Sequence, residues 1–299
     1  MNFNDKSICK DVLKQDKHTR LEGLCIEHFF INNYLNSIEK DKISTGWWFS
    51  KRKYNDEKYF IIKFQHDLNF REVDLSILNY FKKKGLEIYI LFYDDKFKFY
   101  TCNIKKIEQI NEKIILDSAI EYKYTKLKPL PSSVKDIKRQ EQSIDYLEKN
   151  GLLKKASIER FFANRIAGFK GLWDIDAICY NSSDELIVYE VKQKFPAKNG
   201  NFGINVGTTN FLLFLTDQEI IVEHIILRKP VDDKSIPALD FLQKQEYKGK
   251  NEWLSAHFTK KIIENFKTKL SPKETSIHGR YRLKYMDLNM SEFESKGFV

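Results

Sequence analysis

Residues 172–195 read LWDIDAICYNSSDELIVYEVKQKF, two apolar, β-prone runs joined by the polar turn Asn181 to Glu185. A hairpin closing symmetrically on that turn sets Tyr180 opposite Leu186, Ile178 opposite Val188, Asp176 opposite Glu190 and Asp174 opposite Lys192. Side chains alternate along a strand, so three acids and a lysine share one face. The other face carries Trp173, Ile175, Ala177, Cys179, Ile187, Tyr189 and Val191 and is wholly apolar. Near the turn both faces are apolar, so the pair reads as buried on both sides with its charge gathered at the far end.

Opposed carboxylates repel, and Asp176 facing Glu190 therefore asks for a cation. Magnesium suits this donor set, because it takes one or two carboxylates and keeps waters and phosphate oxygens in its shell. Lys192, two residues from Glu190 on the same face, is placed to orient a water or to meet a developing oxyanion. The competing account of the same residues is a surface hairpin in which Lys192 pairs with Asp174, a contact worth about 0–1 kcal/mol.

Working outward, ASIERFFANRIAGF before the hairpin predicts a helix from Ser157 to Ile166 that carries Glu159 in its first turn, where an acid also favours the helix dipole. After it come a helical segment from about Gly203 to Leu215 and the β-prone run Ile220 to Leu227. The order is helix, strands, helix, strand.

Asp176, thirteen intervening residues and then Glu190-Val191-Lys192 on an apolar strand resemble the PD-(D/E)xK nuclease superfamily over roughly 75 residues. Isoleucine stands where that pattern has its proline. The resemblance implies a restriction-endonuclease-like αβββαβ core in the C-terminal half. It also implies a Mg²⁺-dependent endonuclease, with Mn²⁺ as a substitute, acting on double-stranded DNA as a homodimer in restriction or genome defence. Asp176, Glu190, Lys192 and Glu159 would be catalytic. The metal would lie on Asp176, Glu190, Glu159 and the Val191 carbonyl, with Asp174 in support. A repair, recombination or transposon-associated nuclease, and an inactive nucleic-acid-binding protein of the same fold, remain open.

The flanks fill in the fold class, α/β in the broad α+β sense. A helix over Leu21 to Ile38, a strand at Lys58 to Phe64, a helix at Glu72 to Lys84 ended by Gly85, and a hairpin of Leu86 to Tyr93 with Phe97 to Ile104 predict an N-terminal α/β domain over 1–130. Pro129, Pro131, Ser132 and Ser133 mark a boundary near Lys128 to Lys138, and the nuclease domain then runs over 139–299. Helices are expected at Gln140 to Leu153 and Glu252 to Leu270, the latter stopped by Ser271-Pro272.

The 51 Lys plus Arg against 42 Asp plus Glu leave a charge of +9, which favours a polyanionic partner. Lys194, Lys198 and Asn205 are expected phosphate contacts, as are Lys51 and Arg52 beside Trp47-Trp48, and Arg280 and Arg282 in the basic tail. Core packing competes for the tryptophans. Gly203 and Gly207 form no GxGxxG and no GK[ST] occurs, which argues against a nucleotide cofactor. The four cysteines form no CxxC pair, and the six histidines make no zinc pattern. With no apolar leader and no membrane-length run, the sequence reads as cytoplasmic.

Overall fold

The computed structural model describes residues 2–35, 42–52, 55–65, 70–93, 99–103, 118–119, 134–165, 169–180, 185–195, 200–231, 233, 235–265, 268–270 and 284–299. It divides into two compact units, Met1–Tyr180 and Asn181–Val299, each of mixed α/β structure. No helix among the described residues is long and apolar enough to cross a membrane.

The first unit starts with helices α1 (Lys6–Leu13) and α2 (His18–Phe30), and α2 runs on into a π-helical turn, Ile31–Leu35. Strands β1 (Ile43–Ser44), β2 (Trp47–Arg52) and β3 (Asn55–Gln65) follow, then helix α3 (Glu72–Lys83) and strands β4 (Glu87–Tyr93), β5 (Phe99–Asn103) and β6 (Ser118–Ala119). Helices α4 (Val134–Lys149) and α5 (Leu153–Arg165) lead to β7 (Phe169–Ile175) and β8 (Ala177–Tyr180). Six strands form one sheet in the order β6-β5-β4-β3-β2-β7, and β1 pairs antiparallel with β8.

The α3 sequence shows why this part folds locally. Val73, Ile77, Leu78 and Phe81 recur on one face and are buried, acids occupy the first turn and lysines the last. The helix ends at Lys84 and Gly85, whose φ of +73° is the left-handed conformation that glycine adopts without penalty. As a crossover it makes β3 and β4 parallel. Trp47, Phe49, Phe60, Phe81 and Phe162 fill the interior, each contributing on the order of 1.5–3 kcal/mol. Trp47 is fully buried with its indole N–H donating to Ser44 Oγ at 2.7 Å, and Trp48 is 4% exposed against Phe162. Core packing, not base stacking, accounts for this pair.

The second unit contains β9 (Leu186–Lys194), β10 (Phe202–Asn205), helix α6 (Val206–Asp217) and β11 (Ile221–Arg228). Helix α7 (Ala238–Gln243), β12 (Glu252–Phe258), α8 (Lys260–Asn265), β13 (Thr268–Leu270), β14 (Lys284–Leu288) and β15 (Glu294–Phe298) complete it. One ladder runs β9-β11-β12-β15 and another β10-β14-β13. β9 and β11 are parallel, with α6 between them in the chain, while β11 and β12 are antiparallel.

Several boundaries differ from those read in the sequence. The helix expected over Glu252 to Leu270 is β12, the short α8 and β13. Residues 252–256 are all buried, so the segment shows no alternation by which a strand is recognised. The segment expected as one helix from Gly203 is β10 followed by α6. α4 begins at Val134 rather than Gln140 and ends before Gly151, whose φ is +72°. α5 begins at Leu153, not Ser157. The turn residues 181–184 and the Pro-Ser stretch at 129–133 lie outside the described residues. The contact-based division at Tyr180 differs from the boundary expected near Lys128 to Lys138, because α5 packs on α1 and β7 pairs with β2.

Candidate active site

In the first unit, the β1/β8 and β2/β7 ladders share one register: Ser44 pairs with Ile178, Trp47 with Ile175 and Trp48 with Asp174. Gly46 and Asp176 therefore stand level at the corner between the ladders. Gly46 has a φ of +78°, and a Cβ there would lie 3.2 Å from the Phe64 carbonyl oxygen and 3.8 Å from Glu159 Oε1. The bare backbone is needed for its left-handed turn and for the close approach of the Phe64 carbonyl, with the Glu159 carboxylate alongside.

Glu159 lies in the second turn of α5, and Ser157, inside the helix, donates to the Leu153 carbonyl at 2.6 Å. A first-turn dipole role for Glu159 thus has no footing. Its side chain is 13% exposed, and Oε1 makes no hydrogen bond, with Lys155 Nζ 3.9 Å away. Burial raises its pKa; Lys155 works against that rise, and Asp174 adds to it. Asp176 is 7% exposed and Asp174 half-buried. All three acids line one cavity of about 280 Å³.

In the second unit, alternation along β9 puts Leu186, Val188, Glu190, Lys192 and Lys194 on one face. Glu190 is 6% exposed, and Lys192 Nζ lies 2.8 Å from its Oε1. Val191, whose carbonyl the resemblance assigns to metal, is a buried residue of the same strand. On the parallel neighbour β11, His224 is level with Glu190 and stacks on Phe258 at 5.4 Å. Burial first, then Lys194 and Lys192, holds its pKa well below 6.5 against the opposing effect of the Glu190 backbone. A single histidine inside the apolar run IIVEHIIL is the only local sequence signal for this residue.

The expected phosphate contacts divide into two groups. Lys194 donates to the Gly203 carbonyl, and burial first, then Lys192, lowers its pKa to about 8. Asn205 caps α6, its side chain accepting from Gly207 N at 2.7 Å. Both side chains therefore have structural partners. Lys198, Arg280, Arg282 and the side chains of Lys51 and Arg52 lie outside the described residues.

No protein-family model, curated protein or solved structure matches this chain. Among the described residues, no group of three His, Cys, Asp or Glu stands ready to hold a metal ion. The donor set is nonetheless all oxygen, and the buried Glu159 Oε1 without a hydrogen bond is an atom that a hard cation would satisfy.

Proposed function

We propose that the protein is a Mg²⁺-dependent endodeoxyribonuclease with a restriction-endonuclease-like core, working in the cytoplasm as a homodimer in restriction or another form of genome defence. The observation that carries this reading is that Glu159, Asp174 and Asp176 all line one cavity. Glu159 on a helix and Asp176 at a bend are held at low exposure, with the half-buried Asp174 lining the same cavity, and buried carboxylates are costly to keep charged without a cation. A helix, α5, ahead of β8 and β9, and the parallel pairing of β9 with β11 with α6 between them in the chain, are features such a core would share, although β7 pairs with β2 and β10 precedes α6.

In this reading Asp176 and Glu159 would hold the cation, with Asp174 in support, and Glu190 is the further ligand that the resemblance implies. Bound there, a divalent ion lowers the pKa of water and offsets charge on a scissile phosphate. Lys192 would donate to an oxygen of that phosphate, and the low exposure of Asp176 and Glu190 limits the bulk water competing for the site. Magnesium commonly takes only one or two carboxylates, so a ready-made trio of ligands is not required.

Linear duplex, branched DNA, single strands and RNA incubated with Mg²⁺ or Mn²⁺ provide the test. Discrete duplex fragments are expected. Cutting confined to junctions would point to repair or recombination, and binding without cleavage of any substrate would overturn the nuclease reading. Asp176→Asn, Glu190→Gln and Lys192→Ala should each lower the cleavage rate about 10²-fold or more with little change in thermal midpoint. Undiminished cleavage by all three would remove this site assignment.

A further inference from the structure

The cavity of the first unit extends beyond its carboxylates. α2 lends it Leu24, Glu27 and His28, and the π-helical turn that continues it lends Ile31 and Asn32, positions three and four apart along one helical face. Leu147, Leu152 and Ile31 make an apolar wall, and Glu27, His28 and Asn32 make a polar rim. The α-helix widens into π-helical geometry at Ile31–Leu35, where Ile31 and Asn32 reach the cavity, and such turns are often found at functional positions. His28 Nδ1 is 3.1 Å from the Tyr146 hydroxyl and its Nε2 is 2.5 Å from Asn32 Nδ2, so the ring braces the rim, while burial first, then Lys155, lowers its pKa.

An apolar wall, a rim carrying a carboxylate and a carboxamide, and a volume of about 280 Å³ suit one flat heterocycle. A base pair within a duplex would not enter. We propose that this cavity captures a single nucleobase swung out of a DNA duplex, with Glu27 and Asn32 reading its edge while its phosphate lies beside Glu159 and Asp176. The inference rests on the nuclease reading for its choice of DNA. A carboxylate accepts from an exocyclic amino group, and a carboxamide pairs twice with adenine, so adenine or cytosine is favoured over thymine. Extrusion is easiest for a base that has no partner.

Fluorescence anisotropy with Ca²⁺ in place of Mg²⁺ would compare the full chain on three labelled duplexes: fully paired, with one bulged adenine, and with one bulged abasic nucleotide. The adenine bulge should bind roughly ten-fold or more tighter than the other two, reflecting the unpairing cost already met. Asn32→Ala, at an exposed position, should shrink that ratio, and Leu24→Trp, which fills the cavity, should bring it near one. Equal tightness on both bulges would mean recognition of bent DNA and would overturn base capture, as would equal affinity for all three. Cleavage of the same duplexes in Mg²⁺ separates the two readings. Cutting without bulge preference defeats base capture alone, and adenine-bulge preference without cutting defeats the nuclease alone.

Discussion

Lys63 keeps an ammonium group at 3% exposure, with Nζ 3.0 Å from Asp74 Oδ1, 2.7 Å from the Thr45 carbonyl and 3.2 Å from Ser44 Oγ. Burial lowers its pKa from 10.5 to about 8, against the opposing pull of Asp74. Below the lower value both folded and unfolded chains carry the proton. Between the two values the unfolded chain holds a proton that the folded chain has released, so this group makes stability rise with pH across that window. Thermal midpoints measured from pH 7.5 to 10.5 should therefore increase in the native chain relative to Lys63→Met. A parallel pH dependence in the two proteins would contradict the buried-ammonium account. Among individual residues, the sequence places Asp174 and Asp176 on one strand and Glu159 in a first helical turn. Asp176 is instead the bend between β7 and β8 and Glu159 lies in the second turn, because pairing with β1 and β2 and the earlier helix start are not local signals. His224 and the Glu27, His28 and Asn32 stripe were not legible, since each resembles ordinary amphipathic patterning until its neighbours are known.

The corner between β1 and β2 is the element that Lys63 braces, and it depends on Gly46. Alanine there would adopt an unfavourable left-handed backbone, costing about 1–2 kcal/mol, and would press on the Phe64 carbonyl. Gly85→Ala is the informative comparison, since its φ is +73° but no atom lies within 4 Å of a Cβ there. Urea denaturation should show Gly46→Ala to be the more damaging of the two; equal losses would mean that the corner yields freely. Elements with one buried face, such as α3, or β-prone runs either side of a polar Asp94-Asp95, such as β4 and β5, were readable from local sequence. β12 was not, because burial on both faces erased its period and left Glu, Leu and Ala to mimic a helix. The β10-β14-β13 ladder joins Phe202 to Leu288, a pairing that no local pattern announces.

At the scale of the whole chain, mixed α/β structure follows from the alternation of strand and helix signals, but the grouping of elements does not. Trp47 pairs with Ile175 across more than a hundred residues, and that ladder ties the second half of the first unit to its start. A proline-rich break in composition says nothing about such pairings. Within the second unit, β15 is the outermost strand of its ladder, every residue from 294 to 298 exposed, yet its end is fastened by Val299 N to the Asn251 carbonyl and by Gly249 N to the Val299 carbonyl, both at 2.8 Å. Those last six residues act as a seal. Without them the buried, β-prone EWLSAHF segment would present a bare row of amides and carbonyls to any passing chain. Light scattering from a protein stopped at Phe293 should grow with time and concentration while Phe298→Ser stays dispersed, so the handling properties of the whole preparation would hinge on a strand that contributes almost nothing to its interior.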